Sequence, residues 1–151
     1  MPKLHAEIQI RPFAPTDQTA AKALILRGLE EHWGVLDLTK NPDLDDIAAN
    51  YADGVFLVAF KGDELVGTGA LLPETDGAGR IVRMSVATAL RRHGLGKAIL
   101  DRLCTAARQK GYRQLVLETT KTWDDAIGFY TRYGFQTVHI DDEDHHFSLI
   151  L

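Results

Sequence analysis

Between Val86 and Lys97 the sequence passes from an apolar segment, through Arg91-Arg92-His93-Gly94-Leu95-Gly96, into a helical pattern. The first amides of a helix have no intrahelical partner, and the macrodipole adds partial positive charge there. Glycines at 94 and 96 remove the side chains that would keep an anion from those amides. Arg91, Arg92 and Lys97 add fixed positive charge beside them. The chemistry this combination supports is the capture of a diphosphate. Two other phosphate motifs do not fit. The Walker loop needs serine or threonine after glycine-lysine, and Gly96-Lys97 is followed by Ala98; the dinucleotide fingerprint needs three glycines at fixed offsets, and two are present.

Other reactive residue types offer less. Cys104 is the single cysteine, so no internal disulfide and no thiolate cluster can form; it lies in an apolar helical pattern and reads as a buried small hydrophobe. His145 and His146 adjoin Asp141, Asp142, Glu143 and Asp144. Adjacent strand residues point to opposite faces, so this segment reads as an exposed acidic hairpin tip, and no metal is expected.

The elements that must position the glycine loop follow from periodicity. Glu7 to Arg11 alternates as a half-buried strand, closed by Pro12, and Pro15 opens a helix carrying Ala20, Ala23, Leu24, Leu26 and Leu29 toward Glu30. The stretch from Glu31 to Asp53 reads as a loop and a short helix. Val55 to Phe60 is a buried strand, Gly62-Asp63 a tight turn, and Leu65 to Leu72 the hairpin partner. Gly67 and Gly69 in that partner imply a bulge or a close backbone approach. Ile81 to Val86 is a further strand after the Asp76-Gly77-Ala78-Gly79 turn. Leu95, Ile99, Leu103 and Ala106 mark a helix to Lys110, stopped by Gly111. Leu115 to Leu117 is a short strand, Thr122 and Asp125 are spaced as a capping box for a helix to Tyr133, and Phe135 to Ile140 and His146 to Leu151 close the chain. The order β-α-α-β-β-β-α-β-α-β-β describes a mixed α/β domain spanning residues 1–151.

The Arg83-Met84-Ser85-Val86 strand, the Arg91-xx-Gly94-x-Gly96 loop and Ala126-Ile127-Gly128-Phe129-Tyr130-Thr131-Arg132-Tyr133-Gly134-Phe135 together resemble the GNAT superfamily of N-acetyltransferases. The resemblance covers nearly the whole chain. It implies a mixed, mostly antiparallel central sheet flanked by helices, with strands splayed at the cofactor site. It also implies acetyl-coenzyme A as cosubstrate and no metal. Main-chain groups of Met84, Ser85 and Val86 are then expected to meet the pantetheine arm. The loop of Arg91, Arg92, His93, Gly94, Leu95, Gly96 and Lys97 is expected to hold the diphosphate. Tyr130 matches the family tyrosine that protonates the departing thiolate; a phenol of pKa ~10 can serve a thiol of pKa ~8.5. Trp123 stands where relatives frequently carry an asparagine that contacts the cofactor, so it is expected to pack on the cofactor or line the acceptor pocket.

A general base is less visible. Relatives often use a glutamate near the positions of Arg80 and Arg83, and neither is acidic here. Glu118, Glu31, His32 and His93 are the candidates; Glu31 and His32 lie where relatives build the acceptor site. The implied activity is acetyl transfer to an amine of a small molecule or peptide by direct attack. The alternative is a non-catalytic module that senses acetyl-coenzyme A.

Composition narrows the setting. The 151 residues are 45% hydrophobic and 25% charged, an ordinary globular balance. Seventeen basic and 21 acidic residues give a net charge of −4, which argues against wholesale nucleic-acid binding. No apolar run approaches the ~20 residues of a membrane span, and Met1 to His5 lacks the apolar stretch of a secretion signal. The expectation is a cytoplasmic protein whose exposed sheet edge can pair with a second copy.

Overall fold

A computed structural model describes residues 7–37 and 39–151. Seven strands form one sheet in the order β1-β2-β3-β4-β5-β7-β6. They are β1 (Ile8–Pro12), β2 (Val55–Lys61), β3 (Glu64–Pro73), β4 (Ala78–Val86), β5 (Gln114–Thr120), β6 (Gln136–Ile140) and β7 (Asp144–Ile150). Among the described residues four α-helices accompany them: α1 (Gln18–Trp33), α2 (Ile47–Asn50), α3 (Leu95–Gln109) and α4 (Asp124–Tyr133). All strand pairs are antiparallel except β4 with β5, which α3 connects. The element order agrees with the sequence pattern, and the Glu31 to Asp53 stretch does contain a short helix, preceded by a 3₁₀ turn at Pro42–Asp45.

β2 is apolar along its length because both of its faces are covered. Leu57 and Ala59 pack with α3 in one core, while Phe56 and Val58 pack with Ala21, Leu24 and Ile25 of α1 in the other. α3 buries Leu95, Ile99, Leu100, Leu103, Cys104 and Ala107, the recurrence of a helix with one apolar face. Cys104 sits in this core at 3% exposure, as its apolar surroundings suggest.

The glycines of β3 explain how close α3 comes to the sheet. A Cβ at Gly69 would stand 2.6 Å from both Ile99 Cγ2 and Met84 Sδ, and one at Gly67 would stand 2.9 Å from Ile99 Cδ1. The expected irregularity is also there: the β3–β4 register shifts between Thr68 and Ala70.

α1 is held at its start by a buried carboxylate. Asp17 accepts bidentate hydrogen bonds from Arg11 Nη1 and Nη2 at 2.7 and 3.0 Å, and one from the Ala14 amide at 2.8 Å. The Arg11 contacts, against the cost of burial, hold this carboxyl below its ordinary range. A carboxyl whose pKa is lowered by folding contributes stability above its unfolded pKa and loses it as pH falls. Asp17→Ala is expected to destabilise the fold by about 2 kcal/mol near neutral pH, read as a lower urea midpoint at unchanged slope. The deficit should shrink toward acid pH. A deficit that persists unchanged there would contradict this account.

Candidate active site

β4 and β5 pair in register only from Ala78–Gln114 to Arg80–Val116, although β4 continues to Val86 and β5 to Thr120. Beyond that point the two strands part. The cause lies in β4: Arg83 adopts φ 56, and its carbonyl takes a 2.8 Å hydrogen bond from the hydroxyl of Thr68, which is fully buried. This bulge bends β4 while Val86 still pairs with Gly67 of β3. The Ala87 amide donates to Val66 of β3 at 2.8 Å. Main-chain groups alternate along a strand, so those of Val86 and Met84 point into the gap. The Val86 carbonyl there receives Arg91 Nε at 3.0 Å.

The gap opens into a cleft of about 1540 Å³, lined on the β4 side by Met84, Ser85, Val86, Arg91, Arg92, Gly94, Gly96 and Lys97. That exceeds the ~300–1,000 Å³ of ordinary small-molecule pockets. Gly94 caps α3 at φ 89, in the left-handed region, and a Cβ there would meet nothing within 4 Å. The amides from Arg92 to Lys97 have no acceptor among the described residues. Amides left open to solvent in this way are able to hold an anion. The residues present therefore fit a diphosphate-bearing cofactor. Leu95 contributes its amide only, because its side chain is buried at 1% exposure in the core. His93 is exposed and does not line the cleft, so its imidazole is not placed to act as base.

Tyr130 lines the same cleft from α4, its ring against Phe129, Phe135 and Phe147. Burial pushes its phenol above the ordinary value, so it stays protonated through the physiological range. Its hydroxyl has no hydrogen-bond partner among the described residues. Tyr133 also lines the cleft, but its hydroxyl donates to Asp101 Oδ1 at 2.6 Å and contacts Cys104 Sγ at 3.4 Å. Of the two, Tyr130 is the phenol free to serve a ligand.

α4 begins differently from the expected capping box. Trp123, not Thr122, is the N-cap, and no side chain caps the helix. The turn is closed instead by main-chain bonds from Trp123 to Thr120 and from Asp124 to Thr122, which leaves the hydroxyl of Thr122 and the carboxylate of Asp125 with no capping role. The indole of Trp123 stacks on His32 at 4.2 Å and 6°.

The opposite wall belongs to α1 and the loop after it. Glu31 accepts from Arg91 Nη1 at 2.9 Å and from the Thr88 hydroxyl at 3.1 Å, so its carboxylate ties α1 to the glycine loop. Sequence reasoning did not find Asp43. It accepts from Arg83 Nη2 at 2.7 Å and Nε at 3.0 Å, and from the Tyr51 hydroxyl at 2.6 Å. Burial works against its ionised form, but the bonds from Arg83 and Tyr51 prevail and hold its pKa below the ordinary value. Burial first, then Asp43, pushes the Tyr51 phenol up to about 12. The available signal was Arg83, a charge set between the apolar Val82 and Met84 of β4. Glu118 lines the cleft just past the point where the strands part, and Arg80 donates to it.

Gly28 lets α1 approach β4, since a Cβ there would stand 3.3 Å from Ser85 Oγ. Gly28→Val is expected to push this wall aside, raising the KM for an acceptor severalfold while cofactor affinity stays unchanged. Steady-state kinetics with each substrate varied separately decides it; a matching loss in cofactor affinity would contradict the expectation that this wall borders the acceptor.

Comparison with known proteins agrees with this geometry. The model of the acetyltransferase (GNAT) family matches residues 21–135. Over 101 residues the chain is 38% identical to N-acetyltransferase 8F1 of Rattus norvegicus, a match covering 62% of this chain and 46% of that protein. The chain spans about half the length of the curated relatives it matches. Among solved structures, the PaiA N-acetyltransferase of Thermoplasma acidophilum in complex with coenzyme A has a TM-score of 0.84 at 16% identity, covering 95% of this chain and 99% of that one. A putative acyl-CoA N-acyltransferase from Klebsiella pneumoniae has a TM-score of 0.75 at 28% identity, covering 97% of this chain and 99% of that one.

Proposed function

The chain belongs to the GNAT family of acetyltransferases, and we propose that it transfers the acetyl group of acetyl-coenzyme A to an amine of a small molecule or peptide by direct attack. The observation that carries this reading is the pairing of free amides from Arg92 to Lys97 with the uncommitted hydroxyl of Tyr130 in one cleft. Bound acetyl-coenzyme A supplies the thioester carbon that the amine attacks. The amides of the glycine loop hold the diphosphate, with Arg92 and Lys97 adding charge. Main-chain groups of Met84 and the amide of Val86, whose carbonyl is taken by Arg91, receive the pantetheine arm and orient the acetyl carbonyl. Tyr130, kept protonated by its surroundings, donates to the departing sulfur. Cys104, buried and facing Tyr133, takes no part, so no cysteinyl acyl-enzyme forms.

The incoming ammonium must lose a proton. Glu31 is held by both Arg91 and Thr88 and Asp43 by both Arg83 and Tyr51, whereas Glu118 is bonded by Arg80 alone, through Oε2, and stands at the mouth of the strand gap. Glu118, through water, is the proposed acceptor of that proton, with Arg80 orienting it. The His32–Trp123 stack forms the aromatic side of the acceptor pocket.

The test is thiol release from acetyl-coenzyme A across a panel of primary amines and peptide N-termini, with the acetylated product identified by mass spectrometry. The reading predicts amine-dependent release with at least one acceptor class. A protein that binds acetyl-coenzyme A tightly yet releases no thiol with any of them would overturn transfer and leave the sensing role.

A further inference from the structure

The β6–β7 hairpin holds a donor set that lies outside the cleft chemistry. The register of β6 against β7 shifts between Thr137 and His139, so His139 pairs with His146 instead of with His145. A bulge of this kind re-aims a side chain. Here it stacks the rings of His139 and His146 at 4.1 Å. Asp141, in the connecting turn, accepts main-chain bonds from Glu143 and Asp144 at 3.0 and 2.7 Å through Oδ1. Its Oδ2 is thereby aimed at His146 Nε2, 2.8 Å away. One donor atom from each of His139, Asp141 and His146 lies within 4.8 Å of the other two. His145, by contrast, turns to the other face, where it contacts Thr137 Oγ1 at 2.7 Å and stacks on Phe147.

We propose that His139, Asp141 and His146 form a binding site for one divalent transition-metal ion of the zinc type. Two imidazoles and a carboxylate suit zinc, cobalt, nickel or copper, and not magnesium or calcium, which take oxygen ligands. The fixed Oδ1 of Asp141 means that one ligand is already oriented by the backbone. His139 is exposed, so its ring can turn out of the stack toward an ion without disturbing the core. The neighbouring Asp142, Glu143 and Asp144 favour accumulation of cations. His139 and His146 also line a groove of about 290 Å³ with Glu74, Asp76 and Glu118, which leaves the fourth coordination position open to water or a further carboxylate. Adjacent His145 and His146 do point to opposite faces, as expected; the bulge supplies His146 with a partner from β6 instead. This inference does not depend on acetyl transfer.

Calorimetric titration of the untagged, metal-free protein with zinc chloride is the test. One zinc per chain with micromolar or tighter affinity is expected, with magnesium giving no signal. His139→Ala and His146→Ala should each weaken binding at least about tenfold, and His145→Ala should not. Replacing zinc with cobalt should give the intense visible absorption of a tetrahedral site. Circular dichroism shows whether each variant keeps its fold; if His146→Ala does not, the exposed His139→Ala decides alone. Zinc binding that is only millimolar, or that survives His139→Ala undiminished, overturns the proposal.

Discussion

Tyr130→Phe is expected to lower kcat about 10²-fold while leaving acetyl-coenzyme A affinity unchanged. The substitution removes one oxygen from a ring otherwise packed on Phe129, Phe135 and Phe147, so the fold has no reason to change. A 10²-fold loss corresponds to about 2.7 kcal/mol of transition-state stabilisation, within reach of one well-placed proton donor. The raised phenol pKa adds a second expectation. A donor must be protonated to act, and this one remains so beyond the ordinary phenol value near ~10. The pH–rate profile of the natural protein should therefore show no loss from Tyr130 ionisation below that value. A Tyr130→Phe protein with full kcat would remove the tyrosine from the mechanism.

The second large effect concerns Gly96. An added Cβ would meet the Phe129 ring at 3.4 Å, ordinary van der Waals contact, so alanine fits the protein itself. Gly96 does not adopt a positive φ, so its backbone suits alanine as well as glycine. Gly96→Ala should accordingly fold at least as stably, yet obstruct the approach of a phosphate to the first-turn amides. Gly96→Trp should block that approach outright. Loss of two charge-assisted hydrogen bonds at roughly 1.5–3 kcal/mol each predicts at least about 100-fold weaker cofactor binding for the tryptophan variant. Stability kept in the alanine variant while affinity falls, measured by thermal unfolding and calorimetry on one sample, separates a ligand effect from a folding defect. Unchanged affinity in both variants would place the diphosphate elsewhere.

The regular part of this architecture was legible because its cause is local. The apolar run from Val55 to Phe60, the recurrence of Leu95, Ile99 and Leu103, and the stop at Gly111 each encode an element without reference to the rest of the chain. The glycine loop was legible for the same reason: its amides, glycines and arginines are contiguous. What depends on long-range register was not. Arg83 meets Asp43 across forty positions, and nothing local in the Pro42–Asp45 turn announces that contact. Glu31 reads as a surface carboxylate until Arg91 is seen beside it. The pairing of His139 with His146 follows from a bulge that shifts β6 by one residue, and a shift of one moves side chains to the opposite face. The helix start at Trp123 was misplaced because main-chain bonds, not a threonine hydroxyl, close the turn.

The central claim is that the first turn of α3 cradles acetyl-coenzyme A, and titration of the natural protein with acetyl-coenzyme A in a calorimeter tests it most directly. The account predicts one site per chain with low-micromolar or tighter affinity, displaced by coenzyme A. Absence of binding, or binding that coenzyme A does not displace, would contradict it.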